Sequence, residues 1–194
     1  MTGPKDDLRR YLQHGRDAVA WKLDALSEFG IRRPMTPTGT NLLGLVKHLT
    51  GCEIGYFGES FGRPMPDPPG WLTSEEPNVD LWATADESRA QIVADYRRAC
   101  RHADTTIEAL DLDAPGRIEP WSTPDVTLHA VLVHMIAETH RHAGHADIVR
   151  ELVDGEVGMR ASARNLPAVD DAWWSRHLAR VERAAQEADA PDHG

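Results

Sequence analysis

The sequence predicts an all-α protein: a four-helix bundle with one additional helix near its carboxyl-terminal end. Five segments place apolar residues three or four positions apart, which is the period of a helix with one buried face. No segment alternates apolar and polar residues over the length of an ordinary strand. Long helices with connections of varied length are typical of bundles, and 194 residues suffice for one domain over residues 1–194.

A turn-rich linker separates the first two predicted helices. The first runs from about Asp6 to Phe29, where apolar residues keep a helical period, and stops at Gly30. The linker RRPMTPTGT follows. The second runs from about Asn41 to Phe61, with Thr40 or Asn41 as the capping residue.

A long segment after the second helix, GRPMPDPPGWLTSEEPNVDLW, breaks the helical pattern. Its five prolines and two glycines exclude regular structure. Proline lacks the amide hydrogen that a helix needs, and glycine leaves the backbone free to depart from the helical conformation. Connections of this length in a compact domain are usually functional, for example as lids. Because Trp71, Leu81 and Trp82 favour burial, we expect this loop to be packed.

The third helix is predicted to begin near TADES and to reach about Leu110. Either Thr84 or Asp86 offers the side-chain oxygen that caps the first free amides of a helix. The segment LDLDAPGRIEPWSTPD then forms the loop before the fourth helix.

The fourth helix is predicted to continue to Val153, with Asp125 or Thr127 near its start and Gly155 as its stop. A fifth helix follows at about Val169 to Glu187. The last residues, APDHG, are expected to form a frayed tail.

Composition and charge exclude several classes of function. The formal net charge is −10, and no basic patch interrupts it, which argues against binding to nucleic acid or to an anionic membrane surface. The amino-terminal residues have no apolar signal core, and no run of about 18 apolar residues exists to span a membrane. We therefore expect a soluble, cytoplasmic protein.

Two cysteines are too few for a disulfide framework in a chain of this length. Each lies in a predicted helix. Cys100 is interpreted as a small buried apolar residue, the usual role of a free cysteine. Cys52 lies one turn after a histidine and has a second interpretation, given below.

The fourth helix holds four of the ten histidines within twelve positions, in the stretch HMIAETHRHAGHADIVREL. At about 100° per residue, His142, His145 and His134 lie within about 40° of Glu138 on the apolar, core-facing side. His140 points to the opposite face, where we expect it to be exposed to solvent. The histidines of this stretch are therefore not equivalent.

A carboxylate and an imidazole one helical turn apart can both reach one metal ion, as in bundle-core metal sites. Alone, the Glu138–His142 spacing is also that of a surface pair, but a core-facing position makes unpaired polar groups costly. His48, beside the apolar face of the second helix, is the candidate third ligand. Three protein ligands leave coordination positions open, as catalytic metal sites do.

Three segments carry a resemblance to a known superfamily. They are PTGTNLLGLVKHLTGCEIGYFGESFGRP, DLWATADESRAQIVADYRRACRHADTTIEALDLDAPG and VLVHMIAETHRHAGHADIVRELVDG. Together they resemble the DinB-like superfamily, and most closely its branch of mini-circle proteins. The resemblance covers residues 5–155, about the core of the domain, and it implies a four-helix bundle, in agreement with the periodicity.

The resemblance implies a divalent metal, commonly zinc or nickel, held by one residue of the second helix and two of the fourth. These positions are His48, Glu138 and His142 here. Many members have histidine at both fourth-helix positions; the glutamate resembles mycothiol-dependent maleylpyruvate isomerase. His145 then lies adjacent, with a role in supporting a ligand or contacting substrate, and it would replace Glu138 were that residue not a ligand.

The resemblance also implies an enzyme that uses a low-molecular-weight thiol and an electrophilic substrate. The metal would bind the sulfur and stabilise the thiolate, for S-transfer or thiol-assisted isomerisation. Trp71, Trp82 and Trp121 are candidates to line the site, although each is also explained by packing. A homodimer is expected because dimers are common in the superfamily.

Two alternatives remain open. In the first, the protein is a non-catalytic or stress-associated bundle whose ion, enclosed by a fourth ligand such as Cys52 or His145, only braces the helices. In the second, no metal binds, and Glu138 is hydrogen-bonded to His48 or His142. In the motif RHAGHAD, Arg141, Asp147 and Gly144 are interpreted as structural: Asp147 lies away from the site and Gly144 permits close helix approach.

Overall fold

The computed structural model describes residues 3–119 and 121–189, so the predicted tail APDHG at 190–194 lies outside the described residues. The fold is all-α, a four-helix bundle with an additional carboxyl-terminal helix, as predicted. The elements are α1 (Pro4–Trp21), α2 (Glu28–Arg32), α3 (Leu42–Phe57), α4 (Arg89–Ala109), β1 (Pro115–Arg117), β2 (Asp125–Thr127), α5 (Leu128–Asp154) and α6 (Asp171–Asp189).

The bundle consists of α1, α3, α4 and α5. Helix α3 packs against both α4 and α5, and α1 packs against α5. Fully buried apolar side chains from α1, α3 and α5 fill the centre, among them Leu12, Leu43, Leu49, Leu132 and Met135. Burial of each such side chain contributes about 1.5–3 kcal/mol, and this apolar contact holds α3 and α5, which carry the candidate ligands, together.

A buried ion pair joins three of the bundle helices. The Arg16 guanidinium on α1 donates to both carboxylate oxygens of Glu53 on α3, at 2.7 and 2.6 Å, and to Asp104 on α4 at 2.8 Å. Arg16 is 3% and Glu53 1% exposed, so each charge depends on the other for compensation. The Arg16 guanidinium thereby links α1 to both α3 and α4.

The first helix is shorter than predicted. Instead of reaching Phe29, α1 ends at Trp21, and the chain turns through Ala25, whose φ of 62° lies in the left-handed region. A right-handed helix cannot continue through such a residue, so the chain leaves the helical path here. Just after α1, the Lys22 ammonium is buried and pairs with Asp147 of α5 at 2.5 Å. A separate short helix, α2, includes the last two residues of the predicted segment, Glu28 and Phe29, and continues to Arg32.

The start of each later bundle helix is set by one capping side chain. Asn41 caps α3 by accepting from the Gly44 amide at 2.8 Å, and Thr127 caps α5 by accepting from the Ala130 amide at 3.3 Å, both among the predicted candidates. For α4 the cap is Ser88, rather than Thr84 or Asp86, so this helix begins later than predicted. Helix α5 ends at Gly155, whose φ is 79°.

The proline-rich loop between α3 and α4 is packed only in part, and it is not devoid of regular structure. Trp71 is half-buried, but Leu81 and Trp82 are exposed, contrary to expectation, because this part of the loop contacts α3 through their backbone carbonyls rather than their side chains. The loop contains three short 3₁₀ helices, Glu59–Phe61, Gly70–Thr73 and Val79–Leu81. These fit between the prolines because a single tight turn needs few backbone hydrogen bonds. The buried Lys47 ammonium of α3 anchors the loop through the Trp82 carbonyl at 3.0 Å and the Glu87 carboxylate at 2.8 Å.

The loop before α5 contains a two-stranded antiparallel sheet that the sequence patterns did not predict. Strands β1 and β2 pair Pro115 with Thr127 and Arg117 with Asp125. Each strand has three residues, too few to show an alternating pattern. The ring of Phe61 lies close to Gly116, which places this hairpin beside the end of α3.

Residues 1–164 and 165–194 form two compact units. In the second unit, α6 begins two residues later than predicted, and none of its described residues is buried. Its Trp173 and His177 rings stack at 4.9 Å. Among the described residues, no helix is both long and apolar enough to cross a membrane.

Candidate metal centre

Three side chains from two helices converge on one point inside the bundle. Glu138 and His142 lie one turn apart on α5, and α3 packs against α5 so that His48 faces them. One ligand atom from each residue lies within 4.8 Å of the other two. The Glu138 Oε1 atom is 2.9 Å from His142 Nε2 and 3.4 Å from His48 Nε2. The structure thus brings together the three residues that the sequence singled out.

The proline-rich loop contributes a residue that the sequence analysis missed. Asp80 Oδ2 lies 2.7 Å from His48 Nδ1. Gly44, one turn before His48, lets the loop approach, since a Cβ there would collide with the Leu81 carbonyl oxygen. The Asn41 amide also donates to that carbonyl at 3.0 Å. No spacing rule connects Asp80 to His48, because they lie 32 positions apart and meet only after folding.

This contact determines which nitrogen of His48 carries a proton. A carboxylate only accepts, so the Nδ1–H group of His48 donates to Asp80. In the neutral ring, Nε2 then presents a lone pair toward the Glu138 oxygen at 3.4 Å. Two electron-rich atoms that face each other require a cation or a proton between them. Carboxylate-held histidines of this kind are typical of metal ligands, so the donor set fits a divalent metal.

The protonation states of the two α5 residues also suit metal binding. Burial lowers the pKa of His142, and the neighbouring His48 lowers it further, which favours the neutral imidazole. Burial acts to raise the pKa of Glu138, but the hydrogen bond from His142 and the charge interactions with the neighbouring imidazoles outweigh it and lower the pKa. A neutral imidazole and an ionised carboxylate are the forms that bind a metal.

The three side chains are not sealed from solvent. His48 is 22%, Glu138 21% and His142 12% exposed. His48 lies in the wall of an open pocket of about 390 Å³. The other lining residues come from α3 and the proline-rich loop: Gly51, Cys52, Trp71, Leu72, Ser74, Glu76, Val79 and Asp80. A molecule can therefore reach His48 from this pocket.

Cys52 lies within reach of the same point. Its Sγ atom is 3.5 Å from His48 Nε2. Burial, and then the negative charge of Glu138, raise the pKa of the Cys52 thiol to about 12. Without a metal the thiol is therefore protonated at neutral pH. Cys52 thus contacts one member of the converging group but is not itself part of that group.

The other histidines of α5 differ in their surroundings. His145 lies outside the converging group, and its Nδ1 atom is 3.3 Å from His142 Nδ1. The ring of His134 packs between Tyr56 and Trp121, at 4.7 and 4.8 Å.

His140 points away from the site, as predicted, but its expected exposure to solvent is wrong. It is half-buried, and its Nδ1 atom lies 2.9 Å from the Ile136 carbonyl. A Cβ at Gly15 would lie only 2.9 Å from the His140 ring. The face opposite the metal centre is therefore the contact face with α1.

Two structural expectations have different outcomes. Asp147 lies away from the site and pairs with Lys22, which agrees with a structural role. Gly144 is not a position of close helix approach, because no atom lies within 4 Å of where its Cβ would be. The close approach occurs instead at Gly15 of α1, which the helical pattern did not mark.

The three tryptophans expected to line one site lie in different places. Trp71 lines the pocket at His48. Trp82 lines a separate pocket with Asn41 and Leu45. Trp121 lines a third cavity beside Tyr56. Among these three tryptophans, Trp71 is therefore the one in the pocket wall at His48.

Comparison with known proteins agrees with this geometry. The sequence model of the mycothiol-S-transferase family matches residues 7–155, which include the whole converging group. That family lies within the DinB-like superfamily, which the sequence resembles. A search of curated proteins finds no match. Since the match covers well over half of the sequence, the chain belongs to the mycothiol-S-transferase family.

Proposed function

We propose that the protein is a divalent-metal-dependent transferase that attaches a low-molecular-weight thiol of the mycothiol type to an electrophilic substrate. Membership of the mycothiol-S-transferase family supports the transferase reaction. The observation that carries the proposal is the convergence of His48, Glu138 and His142 beside an open pocket. Three ligands beside a pocket are the arrangement of a catalytic metal site.

In this proposal His48, Glu138 and His142 hold one zinc or nickel ion. Two imidazole nitrogens and one carboxylate oxygen are a donor set that both metals accept. When bound, the ion would supply a thiolate nucleophile near neutral pH by stabilising the ionised form of the thiol.

Neighbouring residues orient the two histidine ligands and set which of their nitrogens carry protons. Asp80 keeps the proton of His48 on Nδ1, so that Nε2 is free to coordinate. We assign His145 the corresponding role for His142, through the contact between their Nδ1 atoms at 3.3 Å. Trp71 and Leu72 add apolar surface to the wall of the pocket. His145 therefore acts by supporting a ligand rather than as a ligand itself.

The same nucleophile serves thiol-assisted isomerisation, which differs in that the thiol adds to the substrate and leaves again. Family membership favours transfer over isomerisation. We also infer a cytoplasmic location, because a free thiol substrate and free Cys52 and Cys100 suit a reducing compartment. A homodimer remains our expectation from the superfamily.

The decisive experiment compares His142→Ala with His140→Ala, two histidines of one helix on opposite faces. Wild-type protein, purified without an affinity tag, is expected to contain one metal ion per chain and to transfer mycothiol to a model electrophile. His142→Ala should lose both metal and activity, whereas His140→Ala should keep both. Circular dichroism verifies that each variant is folded.

If the wild type contains no metal and takes up neither Zn²⁺ nor Ni²⁺, the proposal is wrong. The contacts of Glu138 with His142 and His48 would then be those of a metal-free polar cluster, the second alternative from the sequence.

The position of Cys52 favours one competing function, a bundle in which the ion only braces the helices. Cys52→Ser separates the two. In the catalytic case the variant keeps its metal and its transfer rate within about threefold, because the thiolate comes from the substrate. In the structural case it weakens metal binding, and the wild type transfers no thiol.

A further inference from the structure

A second cavity lies next to the pocket at His48 and shares Gly51 with it. Its volume is about 420 Å³, which is within the range of small-molecule sites. Its floor is the face of α3 that continues from His48 through Gly51 and Gly55, and Tyr56, Trp121, Glu59 and Arg117 form its walls and rim. The proposed thiol chemistry at His48 does not by itself explain this cavity.

The cavity lies within reach of the metal centre along α3. At 1.5 Å of rise per residue, Gly51 is about 4.5 Å and Gly55 about 10 Å beyond His48 along the helix axis. Nothing lies within 4 Å of where a Cβ of Gly55 would be, so this glycine leaves open space on the floor. A ligand in the cavity can extend past Gly51 toward His48.

The walls combine aromatic faces with polar groups. The rings of Tyr56 and Trp121 are 5.9 Å apart and inclined at 55°, and His134 packs against both. Such rings offer flat apolar faces, and Tyr56 adds a hydroxyl. At the rim, Arg117 is paired with Glu119 at 2.6 Å. The cavity is therefore apolar on two sides and rich in hydrogen-bonding groups at its edge.

The charges at the rim disfavour an anionic ligand. Glu59 and Glu119 offset the one guanidinium, Arg117, so no net positive charge remains to attract a phosphate or a carboxylate. An uncharged polyhydroxylated ring fits better, because its C–H faces pack on aromatic rings and its hydroxyls both donate to carboxylates and accept from a guanidinium.

We propose that this cavity binds the polyhydroxylated portion of the thiol substrate, with the sulfur directed toward His48. For mycothiol, that portion is the amino sugar and inositol that carry its cysteine. The inference rests on the proposed function for the identity of the ligand. The open pocket at Trp71 is then left for the electrophile.

The test fills the cavity without touching a metal ligand. In Gly55→Leu the new side chain occupies the floor. Gly144→Leu is the matched control, since Gly144 is also a helical glycine with no atom within 4 Å of a new Cβ, but lies outside the cavity. Both changes raise helix propensity, so neither is expected to unfold the protein.

The probe is N-acetylglucosaminyl-inositol, the uncharged portion without the cysteine, titrated calorimetrically into each protein. Wild type and Gly144→Leu should bind it, and Gly55→Leu should bind at least about tenfold more weakly. The KM for mycothiol should rise by a similar factor in Gly55→Leu alone. Metal content, and the transfer rate with saturating 2-mercaptoethanol, should be equal in all three proteins.

Equal binding of the probe by all three proteins, or no binding by the wild type, would overturn the inference. A wild-type protein that binds no metal would instead overturn the proposed function, and the probe titration would still report on the cavity. The two failures are therefore distinguishable.

Discussion

Each ring nitrogen of His48 faces a carboxylate from a different part of the chain: Asp80 Oδ2 is 2.7 Å from Nδ1, and Glu138 Oε1 is 3.4 Å from Nε2. The two carboxylates have different roles. Asp80 orients the ring and fixes the tautomer, and Glu138 shares the site with His142. Asp80, a residue of the proline-rich loop, thus determines which ring nitrogen of His48 carries the proton.

Asp80→Asn is expected to weaken metal binding by about 10–100-fold, the usual effect of removing the hydrogen-bonding partner of a histidine ligand. The neutral amide no longer holds the proton on Nδ1 as strongly as a carboxylate does. Competition with a chromogenic chelator measures the affinity. Glu75→Gln, an exposed change in the same loop, is the control. An affinity equal to that of the wild type would show that Asp80 does not support His48.

At the scale of elements, the contact between α1 and α5 depends on the absence of a side chain at Gly15. A Cβ there would lie 2.9 Å from the His140 ring and 3.0 Å from Thr139 Cγ2, and the ring is held by the Ile136 carbonyl. Because α5 carries Glu138 and His142, this contact also determines where two of the three candidate ligands lie.

Gly15→Ala is therefore expected to lower the free energy of unfolding by about 1–3 kcal/mol, because the core must shift to accept a methyl group. Gly144→Ala, at an exposed helical position with no atom nearby, should instead raise it by up to about 1 kcal/mol. Urea unfolding measures both. Effects of the same sign at both glycines would contradict this account of the packing.

A bidentate ion pair stabilises the carboxyl-terminal end of α5. Arg150 donates through Nε and Nη2 to both oxygens of Asp154, each at 2.9 Å, and through Nη1 to the Lys22 carbonyl. Burial acts to raise the pKa of Asp154, but the hydrogen bonds from Arg150 and from the Glu156 amide outweigh it and lower the pKa.

A lowered pKa in the folded state means that Asp154 stabilises the fold above its unfolded pKa, about 3.9, and that this contribution is lost as the pH falls below it. Asp154→Asn should therefore reduce the free energy of unfolding at pH 7 by about 1 kcal/mol or less. The difference from wild type should disappear in the acid range, as followed by urea unfolding from pH 3 to pH 7. Asp113→Asn, which removes one carboxylate at an exposed turn, is the control.

For the whole molecule, the candidate metal centre and both adjoining cavities lie within the unit of residues 1–164. The family match also ends inside that unit, at residue 155. The helix α6 belongs to the second unit, and none of its described residues is buried. All residues of the candidate centre therefore belong to the first unit.

A chain that ends at residue 164 is accordingly expected to fold, to bind metal with the affinity of the full chain, and to unfold with a free energy within about 1 kcal/mol of it. Thermal unfolding and metal titration of both chains provide the measurement. A truncated chain that fails to fold would show instead that residues 1–194 form one indivisible domain.

Much of the fold and of the candidate site could be predicted because it depends on residues that are close together in the sequence. Apolar periodicity located α3, α4 and α5 to within a few residues, because a helix with one buried face must repeat every 3.6 residues. The caps Asn41 and Thr127 and the stop at Gly155 depend only on neighbouring residues. The pairing of Glu138 with His142 was equally predictable, since four residues make about one turn.

Other features were decided by contacts between distant parts of the chain. Lys22, just after the end of α1, pairs with Asp147, which lies 125 positions away in the sequence. Asp80 reaches His48 because Gly44 admits the loop, and His140 is covered because Gly15 lacks a side chain. The sequence by itself therefore determined the helices and the candidate ligands, whose geometry is local. Only the tertiary structure decided which side chains support those ligands and which cavities adjoin them, because such contacts exist only when the bundle is packed.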